Sequence, residues 1–269
     1  MKTAYATTLC NGDGYVPGVE TLGKSLRARG TQVPMVAMVT EDVSQEARAR
    51  LMEQGWRIRN VEPVRNPSPA TMQLFPRFDN VFTKLRAWEL TDFDKVVFLD
   101  ADTLVLQNID ELFDRPEIAA APDFFMSDRF NSGVMVLAPS QRTFDRMVKA
   151  LSSADSYDGG DQGFLNSYFE NWYGMSVEHR LPAGYNMHHF VYQFLQAHSS
   201  VCKELDKEIK ILHYTLQKPW IGKATVSGGS EVWWRVYFDA HPEEDASWKR
   251  KLHSLEDWSF DAVVSALSR

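Results

Sequence analysis

Asp100 and Asp102, with one alanine between them, follow four apolar residues, Val96-Val97-Phe98-Leu99. Such a run fits a strand buried on both faces in the middle of a parallel sheet. The two acids stand where it would surface at its carboxyl end, the end at which open α/β sheets bind ligands. In an extended segment, residues i and i+2 share a face. Two carboxylates placed side by side repel, and one keeps its proton unless a cation intervenes. Mg²⁺ and Mn²⁺ remove that conflict, because hard divalent ions take carboxylate oxygens and keep sites for substrate phosphates. The competing readings are a turn whose Asp side chains accept from backbone N–H groups and a phosphatase with an aspartate nucleophile. The phosphatase pattern starts near the chain's beginning and has Thr or Val two positions past the second Asp; here Leu104 stands there, after about a hundred preceding residues.

Other polar residues fall where the same chemistry would use them. His213 lies near the end of Ile209-Lys210-Ile211-Leu212-His213-Tyr214, a second strand-like run, and is a candidate third metal ligand. Lys218 follows and can hold a phosphate as a point charge. Lys84 sits near the start of a helical stretch, Phe82–Leu90, the end at which the helix dipole disfavours a cation. It reads either as a solvated surface lysine or as the neighbour of an anionic ligand. Asp158-Gly159-Gly160-Asp161-Gln162 would present Asp161 and Gln162 at a helix N-terminus, or supply an Asp cap. Phe130-Asn131-Ser132-Gly133 offers polar groups and a tight backbone at a strand start. His188 and His189 are adjacent, point apart and make a poor chelating pair.

The elements that must carry these residues alternate. A strand at Ala4–Leu9 leads into the loop Asn11-Gly12-Asp13-Gly14-Tyr15 and a helix over Val19–Arg29. The loop lacks Gly-x-Gly-x-x-Gly, so a dinucleotide site is not supported; Tyr15 either stacks on a base or packs on a neighbour. Further strands are expected at Pro34–Thr40, Ile58–Val61, Ile118–Ala121 and Val134–Leu137. Asp42 and Gln45 have capping-box spacing before a second helix, and Thr143–Leu151 reads as another. Arg65–Asp79 reads as a long loop, of the length that often serves as a lid. The aromatic-rich tail from Ser230 is expected to pack as helix, or to serve a subunit interface in a homodimer. The alternation predicts an α/β fold with a mostly parallel central sheet flanked by helices.

At 269 residues the chain fits one large α/β domain or two small ones, and a hydrophobic fraction of 44% is enough for a sizeable core. A net charge of −7 argues against a general nucleic-acid binder. Two cysteines, Cys10 and Cys202, suit a reducing compartment. The N-terminus lacks a signal-peptide core, and no run approaches the ~18 apolar residues of a membrane helix. Together these predict a cytoplasmic protein without a membrane partner.

In this order the blocks resemble the glycogenin-like branch of the family 8 glycosyltransferases. They are Leu9 with Asn11 and Tyr15; Thr83-Lys84-Leu85; Phe98 to Leu106; Asn108-Ile109-Asp110; Phe130 to Val134; Asp158 to Gly163; and His213 with Lys218-Pro219-Trp220. The likeness spans roughly residues 4 to 222, and it implies one GT-A (Rossmann-like) domain over 1–269 with a helical segment at 223–269. It also implies a UDP-sugar donor bound through Mn²⁺, or Mg²⁺, and transfer with retention at the anomeric carbon. Carried over by position, Asp100, Asp102 and His213 would hold the metal. Leu9, Asn11 and Tyr15 would hold uridine, while Lys84, Ala101, Ser132 and Lys218 would line the donor. Asn131, Asp158, Asp161 and Gln162 would face the sugar as the catalytic group. The chain also resembles cytoplasmic protist galactosyltransferases that cap a glycan on a ubiquitin-ligase adaptor, which implies galactose or glucose transfer to a glycan on a protein or to a small acceptor. A self-glucosylating glycogenin using Tyr192 and a galactinol-synthase-like transfer to inositol are the alternatives within the family. Tyr192 stands one residue out of the glycogenin register after Tyr185-Asn186, and the loop from His213 to Lys218 is one residue shorter and lacks a Gly.

Overall fold

The structure, a computed structural model, describes residues 1–74, 78–153, 155–197, 208–216, 218–221 and 230–240. In chain order the strands are β1 (Thr3–Leu9), β2 (Met35–Val39), β3 (Trp56–Asn60), β4 (Lys95–Leu99), β5 (Thr103–Val105), β6 (Ala119–Pro122), β7 (Phe130–Leu137), β8 (Met187–His188) and β9 (Ile211–His213). The α-helices are α1 (Val16–Ala28), α2 (Gln45–Glu53), α3 (Pro69–Leu74), α4 (Gln141–Ala150), α5 (Asp161–Tyr168), α6 (His189–Ala197) and α7 (Ser230–Ala240).

Six strands form one sheet in the order β3-β2-β1-β4-β7-β6. The first four run parallel, and β7 is antiparallel to both β4 and β6. The apolar run of β4 puts it next to β1 and β7 in the interior, with both faces covered. Val97 and Leu99 point into one core cluster with Tyr5, Leu22 and Val136, whereas Val96 and Phe98 point into a second with Trp88, Met135 and Phe164. That two-sided burial is why the strand reads as continuous rather than alternating hydrophobicity. A small second sheet, β5-β9-β8, packs with α7 around Leu104, Leu212, Tyr214 and Trp233.

Four local expectations are corrected. The stretch expected as helix over Phe82–Leu90 is a 3₁₀ helix, Val81–Glu89, and Lys84 is buried within it rather than solvated. Helix α2 is capped by Ser44, whose Oγ accepts from Ala47 N, and not by Asp42, which accepts instead from Gly12 N and Thr40 Oγ1. Within the expected loop 65–79 lies α3, and Asn66 is pinned to the carbonyl of Gly159 at 2.8 Å. Strand β7 begins at Phe130, so Asn131, Ser132 and Gly133 are strand residues with buried side chains or backbone rather than a lead-in to it. Gly30, expected to end α1, follows it at φ +84°, a backbone conformation that favours glycine. Cys202 and the tail aromatics beyond Ala240, including Trp248 and Trp258, lie outside the described residues.

Candidate active site

The two acids are brought together by a turn, not by an extended strand. Asp100 leaves the end of β4 and Thr103 N returns to its carbonyl at 3.0 Å, after which the chain enters β5 in the other sheet. Strand β9 pairs antiparallel with β5, opposing His213 to Thr103. The turn and that register place His213 Nε2 3.2 Å from Asp102 Oδ1 and 3.9 Å from Asp100 Oδ2. One ligand atom from each of the three lies within 4.8 Å of the others. The donor set, two carboxylates and an imidazole, suits a divalent ion of the Mn²⁺ or Mg²⁺ kind.

Two ammonium groups serve the same acids. Lys84 Nζ is 2.9 Å from Asp100 Oδ1, 2.5 Å from Asp161 Oδ2 and 3.2 Å from Ser132 Oγ. Lys218 Nζ pairs with Asp102 and donates to the carbonyls of Tyr214 and Thr215, each at 2.7 Å. Burial pushes the Asp100 carboxyl up, and the neighbouring Asp102 adds to this against the pull of Lys84. For Asp102 burial acts the same way, but Lys218 and His213 outweigh it and hold the carboxyl below the usual carboxylate range. Burial would lower the Lys84 ammonium; Asp100 and Asp161 overcome that and raise it. Three carboxylates facing two lysines leave an acid in excess, which a divalent cation would reverse to a surplus of positive charge facing an anionic substrate.

The remaining predicted residues divide by what they touch. At the first turn of α5, Asp161 Oδ2 accepts from Ser132 Oγ at 2.8 Å, and Gln162 spans Ser132 N, Asp123 Oδ2 and the Tyr157 hydroxyl. Asn131 is buried, with Nδ2 3.1 Å from Asp123 Oδ2 and Oδ1 accepting from Gly133 N and Asn186 Nδ2. Asp158 is exposed, and its Oδ1 accepts from Gly160 N and Gly163 N, the work of a helix cap. Across the turn, Ala101 is buried with its carbonyl against Gly18, where a Cβ would sit 2.4 Å away. Leu9 gives its side chain to the core. Asn11 takes a left-handed φ of 64° and accepts from Asn80 at 2.7 Å. Tyr15 meets the edge of Trp220 at 5.6 Å, and Trp220 Nε1 donates to Gly14 O at 2.8 Å, tying the Lys218 segment to this loop. His188 and His189 do diverge: one faces Asn131 and the other stacks on Tyr214 at 5.0 Å.

Two residues here escape a reading of the sequence. Asp123 closes β6 and folds back on Phe125 N at 2.9 Å while its second oxygen faces Asn131 and Gln162. Asn186, named from the sequence only to mark the register of Tyr192, places its Oδ1 2.8 Å from His213 Nδ1. No local pattern marks either residue: Gln162 lies 39 positions from Asp123, and His213 lies 27 from Asn186.

A profile of glycosyl transferase family 8 matches residues 6–224. The chain belongs to that family. It is 39% identical over 235 residues to glycogenin-1 of Caenorhabditis elegans, covering 86% of this chain and 54% of that one. It is 34% identical over 265 residues to UDP-glucuronate:xylan alpha-glucuronosyltransferase 1 of Arabidopsis thaliana, covering 90% and 38%. The chain thus spans about half or less of the length of these two curated relatives. A crystal structure of the galactosyltransferase LgtC with donor and acceptor sugar analogs superposes with a TM-score of 0.64 at 20% identity, covering 92% of this chain and 99% of that one. This likeness shows the GT-A type of fold. Among the described residues, no helix is long and apolar enough to cross a membrane.

Proposed function

We propose that the chain is one GT-A catalytic domain that transfers galactose or glucose, with retention, from a UDP-sugar to a glycan on a protein or to a small acceptor. The observation that carries this is the acid–acid–imidazole cluster flanked by Lys84 and Lys218. Asp100, Asp102 and His213 would hold Mn²⁺ or Mg²⁺, which when bound supplies charge neutralisation at the diphosphate. Lys218 would offer its ammonium to the departing diphosphate, where negative charge grows as the sugar leaves. Lys84 and Ser132 fix the Asp161 carboxylate through two contacts. Held that way, Asp161 and the Gln162 amide would orient the sugar, and Leu9, Asn11 and Tyr15 would take the uridine. A cytoplasmic location agrees with the paucity of cysteine.

A separate acceptor is favoured over self-modification because Tyr192 packs, half-buried, against the third core cluster. The test incubates the protein with Mn²⁺ and each of UDP-galactose, UDP-glucose and UDP-glucuronate, following UDP release and intact mass. UDP release with an unchanged mass supports the reading. Hexose ladders that vanish in Tyr192→Phe would replace it with self-glucosylation. Asp102→Asn should abolish Mn²⁺-dependent UDP binding, and Asp161→Asn should lose transfer while keeping UDP affinity.

A further inference from the structure

We propose that Asn186 is a positioning residue that decides which ring nitrogen of His213 carries the proton, as the last link of a one-way amide relay from Asp123. The proposal rests on the metal reading of the Asp100, Asp102 and His213 cluster, which it deepens. Side-chain amides can be turned end for end without changing shape, so their orientation has to be argued from partners whose role is fixed. Two such partners stand at Asn131. Gly133 N is a backbone donor 3.0 Å from Asn131 Oδ1, and the Asp123 carboxylate, an acceptor, is 3.1 Å from Asn131 Nδ2. Both constraints set the same orientation. Asn131 Oδ1 must therefore accept from its next neighbour, the Asn186 amide nitrogen at 2.9 Å. That leaves Asn186 with only its oxygen for His213 Nδ1, at 2.8 Å, and an oxygen there requires a proton on Nδ1.

The consequence falls on the other nitrogen. With Nδ1 holding the proton, the neutral imidazole keeps its lone pair on Nε2, the atom that faces Asp102 and Asp100. Metal-ligating histidines are commonly oriented this way by a partner behind the ring. All members of the relay, Asp123, Asn131, Asn186 and His213, are buried, so water does not compete for the links. Each also sits on a different part of the fold: the end of β6, β7, the residue before β8, and β9. The relay therefore couples the sugar-facing side of the site to its metal-facing side.

Two variants separate the donor and acceptor halves of Asn186. Asn186→Leu removes both; Asn186→Asp keeps an oxygen for His213 Nδ1–H and loses the donor to Asn131. The first readout is a long-range ¹H–¹⁵N spectrum of ¹⁵N-histidine-labelled, metal-free protein at alkaline pH, with the His213 signal identified by its loss in His213→Gln. The second is Mn²⁺ uptake followed by electron paramagnetic resonance without any sugar donor. The expected result is an Nδ1–H tautomer in the unaltered chain and in Asn186→Asp, lost in Asn186→Leu. Mn²⁺ affinity should fall roughly 10- to 100-fold in Asn186→Leu and stay close to the unaltered value in Asn186→Asp. A proton on Nε2 in the unaltered chain, or an unchanged tautomer in Asn186→Leu, overturns the proposal. If the unaltered chain takes up no Mn²⁺, the metal reading fails, while the tautomer spectrum still decides the role of Asn186.

Discussion

Gly133 is required by the histidine that lies on it. A Cβ built there would come within 2.2 Å of His213 Cε1 and 2.6 Å of Nδ1, inside the distance any carbon contact tolerates. Gly133→Ala should therefore push the ring away from Asp102 and weaken Mn²⁺ uptake, which a titration of free Mn²⁺ measures. An unchanged affinity would mean that the imbalance is absorbed elsewhere in β9. Glu117, whose side chain pairs with Trp88 rather than with the acids, makes an independent test. Its Oε1 accepts from Trp88 Nε1 at 2.6 Å, and burial raises its carboxyl above the ordinary value. A raised carboxyl favours the fold when protonated; that contribution is complete below the ordinary value and lost as pH rises through the raised one. Glu117→Gln keeps the acceptor and removes the titration. Thermal melts across pH should show the variant more stable than the parent near neutrality and equal to it in acid.

At the scale of elements, α5 depends on a residue outside it. Asp158 Oδ1 satisfies Gly160 N and Gly163 N at the start of the helix that presents Asp161 and Gln162. Removing a cap costs about 1 kcal/mol, so Asp158→Ala should lower the urea midpoint and, by loosening the first turn, the transfer rate. Asp158→Asn keeps an acceptor and should restore most of both. A variant that instead raises only the KM for donor would place Asp158 on the sugar. Elements buried on both faces were legible, because β2 is wholly apolar and β4 has four consecutive apolar residues after Lys95. The 3₁₀ helix Val81–Glu89 was not, since its buried Phe82, Leu85 and Trp88 also satisfy α-helical spacing. Strand β9 was legible within Ile209–Tyr214, but β5 and β8 escaped, and with them the second sheet, because two or three residues carry no periodicity. Asp100, Asp102 and His213 were legible as chemistry, but the turn that joins them was not. In an extended chain and in this turn the two acids share a side, so the sequence could not separate the geometries.

For the molecule as a whole, the site spans both sheets: the acids leave the large one, while His213 belongs to the small one. Ligand that engages both should hold them together against unfolding. Ligand at roughly 100 times its Kd adds about 2.7 kcal/mol, several degrees of Tm for a domain of this size. Mn²⁺ with UDP should produce such a shift in a thermal melt, EDTA should erase it, and Asp102→Asn should never show it.

The anchoring of Trp220 on the carbonyl of Gly14 joins residues 206 positions apart, and Lys218 meets Asp102 across 116. A ribosome making this chain would release the first loop and both acids long before the histidine and lysine that complete them. Until then the nascent protein would own a finished large sheet around a pair of charges with no countercharge from the far segment. Nascent chains stalled before Ile209 should thus resist protease over the early strands while binding neither cation nor nucleotide.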